Sequence, residues 1–151
     1  MSNPSAPMLT FLDTNVWLYA FHESQDTQKM QQAKRLIRRT SGITVSTQVI
    51  NEVCFTMLRK FGADESAIQT LIRSFYQKYV VIDVQQAIIM EASTLRTQYH
   101  LSYWDGLIVS SALFAGATRL YSEDMHDGLV VNGQLTIRNP FKASVHPSES
   151  A

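Results

Sequence analysis

Four carboxylates stand where an α/β chain can do chemistry. Asp13 directly follows the short apolar run 8–12, and Asp124 follows Leu120-Tyr121 after only Ser122-Glu123. Glu52 lies in the first turns of the helix expected after strand 43–45, and Asp105 in the first turn of the helix expected over 103–115. In open α/β sheets, ligands bind outside the carboxyl ends of the strands, so acids placed there are the first to weigh. Each has a structural alternative. Asp13 can cap the helix begun by Asn15, Asp105 sits in the acid place of a capping-box-like arrangement with Ser102, Asp124 can be a turn residue, and Glu52 a solvated helix residue. Glu52 resists that alternative most, because Val49, Ile50, Val53 and Cys54 surround it with apolar neighbours. A carboxylate near a core face is costly unless paired or hydrogen-bonded. Asp105 meets the same difficulty among Trp104, Leu107, Ile108 and Val109.

Two acids in apolar helices and two at strand ends would converge on one edge of a sheet, where they repel one another and call for a cation. Carboxylate oxygens without thiolates or paired imidazoles favour a hard ion, Mg²⁺ or Mn²⁺. The four histidines, His22, His100, His126 and His146, are scattered without zinc spacing. Hard ions held by a few carboxylates are typical of phosphoryl-transfer chemistry, in which the metal acidifies a bound water and steadies the attacking and leaving oxygens.

The elements that must position these acids follow from the apolar pattern. Strands are expected at 8–12, 43–45, 79–82, 118–121 and 135–137, and helices at 15–21, 27–40, from 46 or 47 onward, after Asp64, after Asp83 and at 103–115. Ser41-Gly42 stops the second helix, Ser46 or Thr47 caps the third, and Asp64, Asp83 and Ser102 cap later ones. Strands alternating with helices of this length imply a parallel sheet flanked by helices, so the fold class is α/β. One domain over 8–141 is expected, with tails at 1–7 and 142–151.

Composition bounds the rest. The chain has 151 residues, 45% hydrophobic, with 13 Lys+Arg against 13 Asp+Glu and a single cysteine, Cys54. That length can bury a sufficient core without disulfides, and one cysteine excludes an intramolecular one. Zero formal charge argues against coating nucleic acid by bulk positive charge. The longest uncharged stretch of interest, 106–118, is short of the ~20 residues a membrane span needs. With no signal-peptide pattern at the N-terminus, a cytoplasmic protein is expected.

Leu12-Asp13-Thr14-Asn15, Glu52, Tyr103-Trp104-Asp105 and Ser122-Glu123-Asp124, in this order and spacing, resemble the PIN domain over about residues 8–140. The likeness is nearest to the VapC-like toxins of prokaryotic toxin–antitoxin pairs. It implies a three-layer α/β/α fold with a central parallel sheet of about four to five strands, and a metal-dependent endoribonuclease. By that likeness Asp13, Glu52, Asp105 and Asp124 would form the acidic quartet binding Mg²⁺ or Mn²⁺. Asn15 would help order the site, and Thr14 and Ser122 would match supporting hydroxyl positions. The likeness also implies a homodimer and a small antitoxin as partner, with RNA as substrate. One departure stands out: many members carry a further acid two positions after the fourth, where this chain has His126, so Asp127 is the candidate auxiliary acid.

Lys29, Lys34, Arg35, Arg38 and Arg39 lie in an acid-free stretch, and on a helix 34, 35, 38 and 39 share a face; a solvated helix face competes with contact to RNA or to antitoxin acids. Trp17, Tyr19, Phe21 and Trp104 are expected in core or dimer packing rather than base stacking, and Cys54 as a small buried hydrophobe. Dehalogenase-like phosphatases need an acid two residues after the first Asp, where this chain has Asn15. A receiver domain needs adjacent acids after its first strand and a lysine after the last long one, and both are missing. The remaining alternative is a catalytically inactive PIN-like module that binds RNA or protein.

Overall fold

The computed structural model describes residues 8–22 and 26–142. The tail expected at 1–7, and all but Lys142 of that expected at 142–151, lie outside the described residues. In chain order the elements are β1 (Thr10–Leu12), α1 (Thr14–Phe21), α2 (Thr27–Arg39), β2 (Ile43–Ser46), α3 (Thr47–Lys60), α4 (Glu65–Lys78), β3 (Val80–Ile82), α5 (Gln86–Tyr99), α6 (Tyr103–Phe114), β4 (Arg119–Tyr121), β5 (Val130–Val131) and β6 (Leu135–Arg138).

The strands form one sheet in the order β3-β2-β1-β4-β6-β5. All neighbouring pairs are parallel except β5 with β6. The chain moves outward from β1 to β3 and then returns to place β4 on the other side of β1. Right-handed crossovers therefore put α1 to α4 on one face and α5 with α6 on the other. The packing agrees: α1 meets α2 and α3, α3 meets α4, α5 meets α6, and β2 is touched by both α3 and α6. Every residue of β1 and β2 is buried, as strands covered on both faces must be.

The helices start and stop for local reasons. Asp13, Asp26, Ser46, Asp64 and Ser102 each accept a hydrogen bond from a backbone N–H of the first turn that follows. After α2 the chain turns at Gly42, whose φ is +70°; a Cβ there would stand 2.8 Å from the Met8 carbonyl oxygen, so the turn admits only glycine. Beneath α1, Trp17 is fully buried, its ring 5.1 Å edge-on from Phe75 and its Nε1 donating to the Leu12 carbonyl at 3.2 Å.

Two expectations need correction. Asp83 does not cap α5: the N-cap is Gln85, with no side-chain cap bond. The loop after β3 is held from outside, by Thr47 Oγ1 accepting from Val84 N at 3.2 Å, which delays the helix by two residues. The sheet also has a sixth, antiparallel strand, β5. It is two residues long and joins β6 through Asn132-Gly133, both at positive φ, a hairpin turn of the primed type.

Candidate active site

The return of the chain to β4 opens a crevice at the carboxyl ends of β1 and β4, where the crossover direction reverses. Asp13, at the end of β1, is the N-cap of α1. Its Oδ1 accepts from Thr14 N at 2.7 Å and its Oδ2 from Ser122 Oγ at 2.8 Å. Both oxygens are thereby fixed, one by the first residue of α1 and the other by the residue that follows β4. Asn15, on the first turn of α1, donates from Nδ2 to Asp124 Oδ2 at 2.8 Å and so ties the exposed loop acid to the same helix. Glu52 projects from the second turn of α3 and accepts from Gln48 Nε2 at 2.8 Å, one helical turn back. Asp105 stands in the first turn of α6, where its backbone N–H donates to Ser102 Oγ at 3.2 Å. Among the described residues its carboxylate accepts no hydrogen bond.

These four acids, from four separate elements, line one cleft of about 280 Å³ together with Thr14, Asn15 and Thr56. The two ion pairs among the described residues, Lys29 with Glu123 and Lys142 with Asp127, involve none of the four. The electrostatics follow. Burial pushes the Asp13 carboxyl up to about 6, against the opposing hydrogen bonds from Ser122 and Thr14, and the charges of Asp105 and Glu52 push the same way. Glu52 is also raised, first by burial and then by Asp105, with the Gln48 bond opposing.

The donor set suits a hard divalent ion: four carboxylates with oxygen donors beside them, a cleft with no cationic side chain among the described residues that line it, and a buried Thr14 hydroxyl with no hydrogen-bond partner among them. Among the described residues no three such side chains are yet drawn together at ligating distances.

Other expected residues fall elsewhere. Asp127 does not line the cleft; its Oδ1 accepts from Asn139 N at 2.9 Å and its Oδ2 from Lys142 Nζ at 3.4 Å, which holds it below the usual carboxylate range. Lys34, Arg35, Arg38 and Arg39 are all exposed on α2. Arg35 and Arg39 border a separate hollow of about 210 Å³ with Tyr121 and Pro140, sharing no residue with the acidic cleft. Trp17 and Cys54 are core residues as expected, whereas Trp104 is 62% exposed and is not.

Two residues escaped sequence reasoning. Glu123 accepts from Tyr19 Oη at 2.9 Å and from Lys29 Nζ, binding α1 and α2 to the loop that carries Asp124. Gln48 holds Glu52. The (i, i+4) spacing of Gln48 and Glu52 was the available signal for the second; the first joins residues far apart in sequence and left none.

The sequence profile of the PIN domain matches residues 10–126. No curated protein matches the chain in sequence. Among solved structures, a toxin–antitoxin complex from Klebsiella pneumoniae superposes with a TM-score of 0.65 at 19% identity, covering 89% of this chain and 99% of that one. Mycobacterium tuberculosis VapC20, described as a sarcin-ricin loop cleaving toxin, gives 0.64 at 18% identity, covering 76% and 89%. VapBC2 from Rickettsia felis, bound to a DNA fragment from its promoter, gives 0.61 at 20% identity, covering 87% and 98%. At these identities the likeness is one of fold, and it agrees with the three-layer arrangement. With the profile spanning most of its length, the chain belongs to the PIN domain family.

Proposed function

We propose that this protein is a Mg²⁺- or Mn²⁺-dependent endoribonuclease that hydrolyses RNA phosphodiester bonds, and that it is the toxin of a toxin–antitoxin pair. The observation that carries the reading is the convergence of Asp13, Glu52, Asp105 and Asp124 on one cleft that no protein cation neutralises. A nuclease needs such a site and a scaffold gains nothing from it, because uncompensated like charges cost stability.

Asp13, Glu52, Asp105 and Asp124 would hold the ion. When bound, it supplies a water of lowered pKa and positive charge against the phosphate. The chain's own residues do the positioning. Thr14 N–H and Ser122 Oγ fix both oxygens of Asp13, Asn15 orients Asp124, and Gln48 orients Glu52. Without a cation Asp13 keeps its proton up to a pH of about 6, so ion binding and loss of that proton are coupled.

The toxin reading is supported by the solved relatives, several of which are toxin–antitoxin complexes. The unit proposed to carry the activity is the single domain 8–141, acting in the cytoplasm; no helix among the described residues is long and apolar enough to cross a membrane. A homodimer is proposed with it, for which the exposed Ile89, Met90 and Phe114 on α5 and α6 offer apolar surface. Lys34, Arg35, Arg38 and Arg39 are proposed to meet RNA phosphates or antitoxin acids.

Purified protein should cleave RNA in Mn²⁺ or Mg²⁺ and stop in EDTA. Asp13→Asn and Asp105→Asn should each abolish cleavage while circular dichroism shows the fold intact. Cleavage that survives EDTA, or both substitutions, overturns the proposal. Calorimetry that finds no Mn²⁺ binding to the wild type would instead favour a catalytically inactive binding module.

A further inference from the structure

Beside the acidic cleft, between the N-terminal turns of α3 and α6, lies a larger cavity of about 490 Å³. Its volume is within the ~300–1,000 Å³ range of small-molecule sites. Glu52 lines both this cavity and the acidic cleft, so the two are neighbours across one side chain. Val84 and Leu107 make its walls apolar, and Trp104, adjacent in sequence to Asp105, stands at its edge. The Trp104 ring is 62% exposed, and its ring contact is edge-on to Tyr103, with centroids 5.1 Å apart.

The polar groups of the cavity have a definite sense. Gln48 Nε2 donates to Glu52 Oε1 at 2.8 Å and to the Trp104 carbonyl at 3.4 Å. Both neighbours are acceptors, which fixes the orientation of the amide and leaves Oε1 facing no donor. That oxygen is buried and unpartnered, a deficit that a ligand N–H reaching it would relieve. Asn51 is disposed alike: its Nδ2 is spent on the Thr47 carbonyl at 3.0 Å, and its oxygen accepts no hydrogen bond among the described residues. The amides therefore offer acceptors to a ligand, beside an aromatic face.

We propose that this cavity receives the nucleobase next to the scissile phosphate, stacked on Trp104 and selected for an exocyclic amino group by the amide oxygens of Gln48 and Asn51. The assignment rests on the ribonuclease reading. Adenine and cytosine present amino donors on their pairing edges, whereas uracil presents carbonyl acceptors on either side of one N–H. Stacking tolerates any base, so Trp104 contributes affinity and the two amides contribute selectivity.

Trp17 is fully buried, so Trp104 is the tryptophan that solutes can quench. Adenosine, cytidine and uridine are titrated against the full chain, with emission and equilibrium dialysis as readouts. Adenosine and cytidine should quench at concentrations several-fold below uridine. Trp104→Ala should weaken adenosine binding roughly five-fold or more. Gln48→Leu combined with Asn51→Leu should keep the quenching but erase the ranking. Equal quenching by uridine overturns the selectivity, and absence of quenching by any nucleoside overturns the site. Loss of acrylamide access to Trp104 as protein concentration rises would show a second copy covering the cavity and also overturns it. RNA cleavage in Mn²⁺ is measured on the same preparation. Cleavage without quenching sinks the base site alone, while quenching without cleavage sinks the ribonuclease reading and with it the base's place beside a scissile bond.

Discussion

Asp13 is the most tightly held acid of the cleft, because its two oxygens are bound by the start of α1 and by the residue after β4 while its charge is opposed by burial. Its ordinary value is 3.8 and its folded value about 6, so the folded protein holds this proton more tightly than the unfolded chain. The stability this group contributes is complete below 3.8 and lost as pH rises through about 6. Glu52 is shifted in the same direction. Metal-free protein should therefore melt at a lower temperature at pH 7.5 than at pH 5, and Asp13→Asn should flatten most of that difference in calorimetric scans. A metal-free wild type whose melting temperature rises between pH 5 and 7.5 would contradict this. Ser122→Ala removes a bond that favours the charged form of Asp13, so the midpoint of the pH dependence should move further upward. Asp13 could be picked out from its place after the first strand, whereas Asn15 and Ser122 were singled out by the family resemblance alone. Their hydrogen bonds to one another were not legible, because they join residues from opposite ends of the chain.

At the scale of elements, the acids keep their places only while the helices carrying them do. Gly106 follows Asp105 and faces α5: a Cβ there would lie 2.6 Å from Arg96 Cγ and 3.2 Å from the Ala92 carbonyl oxygen. Gly106→Ala must push α6 away from α5. It should cost about 1–3 kcal/mol in urea unfolding, a typical penalty for overpacking, and reduce cleavage by displacing Asp105. Glu123 does the corresponding work on the opposite layer, where its ties to Tyr19 and Lys29 secure the Asp124 loop to α1 and α2. Glu123→Ala should destabilise the fold by about 1–3 kcal/mol and weaken Mn²⁺ binding by calorimetry, although Glu123 does not line the cleft. The main strands and helices could be read from apolar periodicity and cap residues, since those signals are local. Asp83 misled because capping depends on where the preceding loop is held, here by Thr47. The β5 strand escaped because two residues carry no periodicity.

For the whole molecule, zero formal charge conceals a division. Four of the 13 acids line one cleft, leaving 13 basic residues against the other 9 over the rest of the chain. A divalent cation held as proposed would offset two of the cleft's four charges, leaving the protein mildly basic and its surface able to approach a polyanion. Metal should also stabilise the fold by mass action: at one hundred times its dissociation constant, about 2.7 kcal/mol, or roughly 5–10 °C for a chain of this size. Thermal scans should show that rise in wild type and lose it in Asp13→Asn. Replacing Arg35, Arg38 and Arg39 together by Ala should weaken RNA binding for all sequences alike and flatten its salt dependence, because these residues lie apart from the cleft and contact no base there.

β4 lies between β1 and β6 in the sheet, yet it is reached only after α6, and Asp124 follows it. The acids thus arrive at the crevice in an order set by synthesis, with Asp13 first and Asp124 last. During translation, a chain released before β4 has inserted holds at most three of the four acids and lacks the Ser122 bond that sets the first. On the proposed ribonuclease reading, such truncated products are inert by topology. On that same reading a cell making this protein is spared the activity of unfinished copies, and restraint is needed only from the moment the stretch from β4 onward closes the sheet.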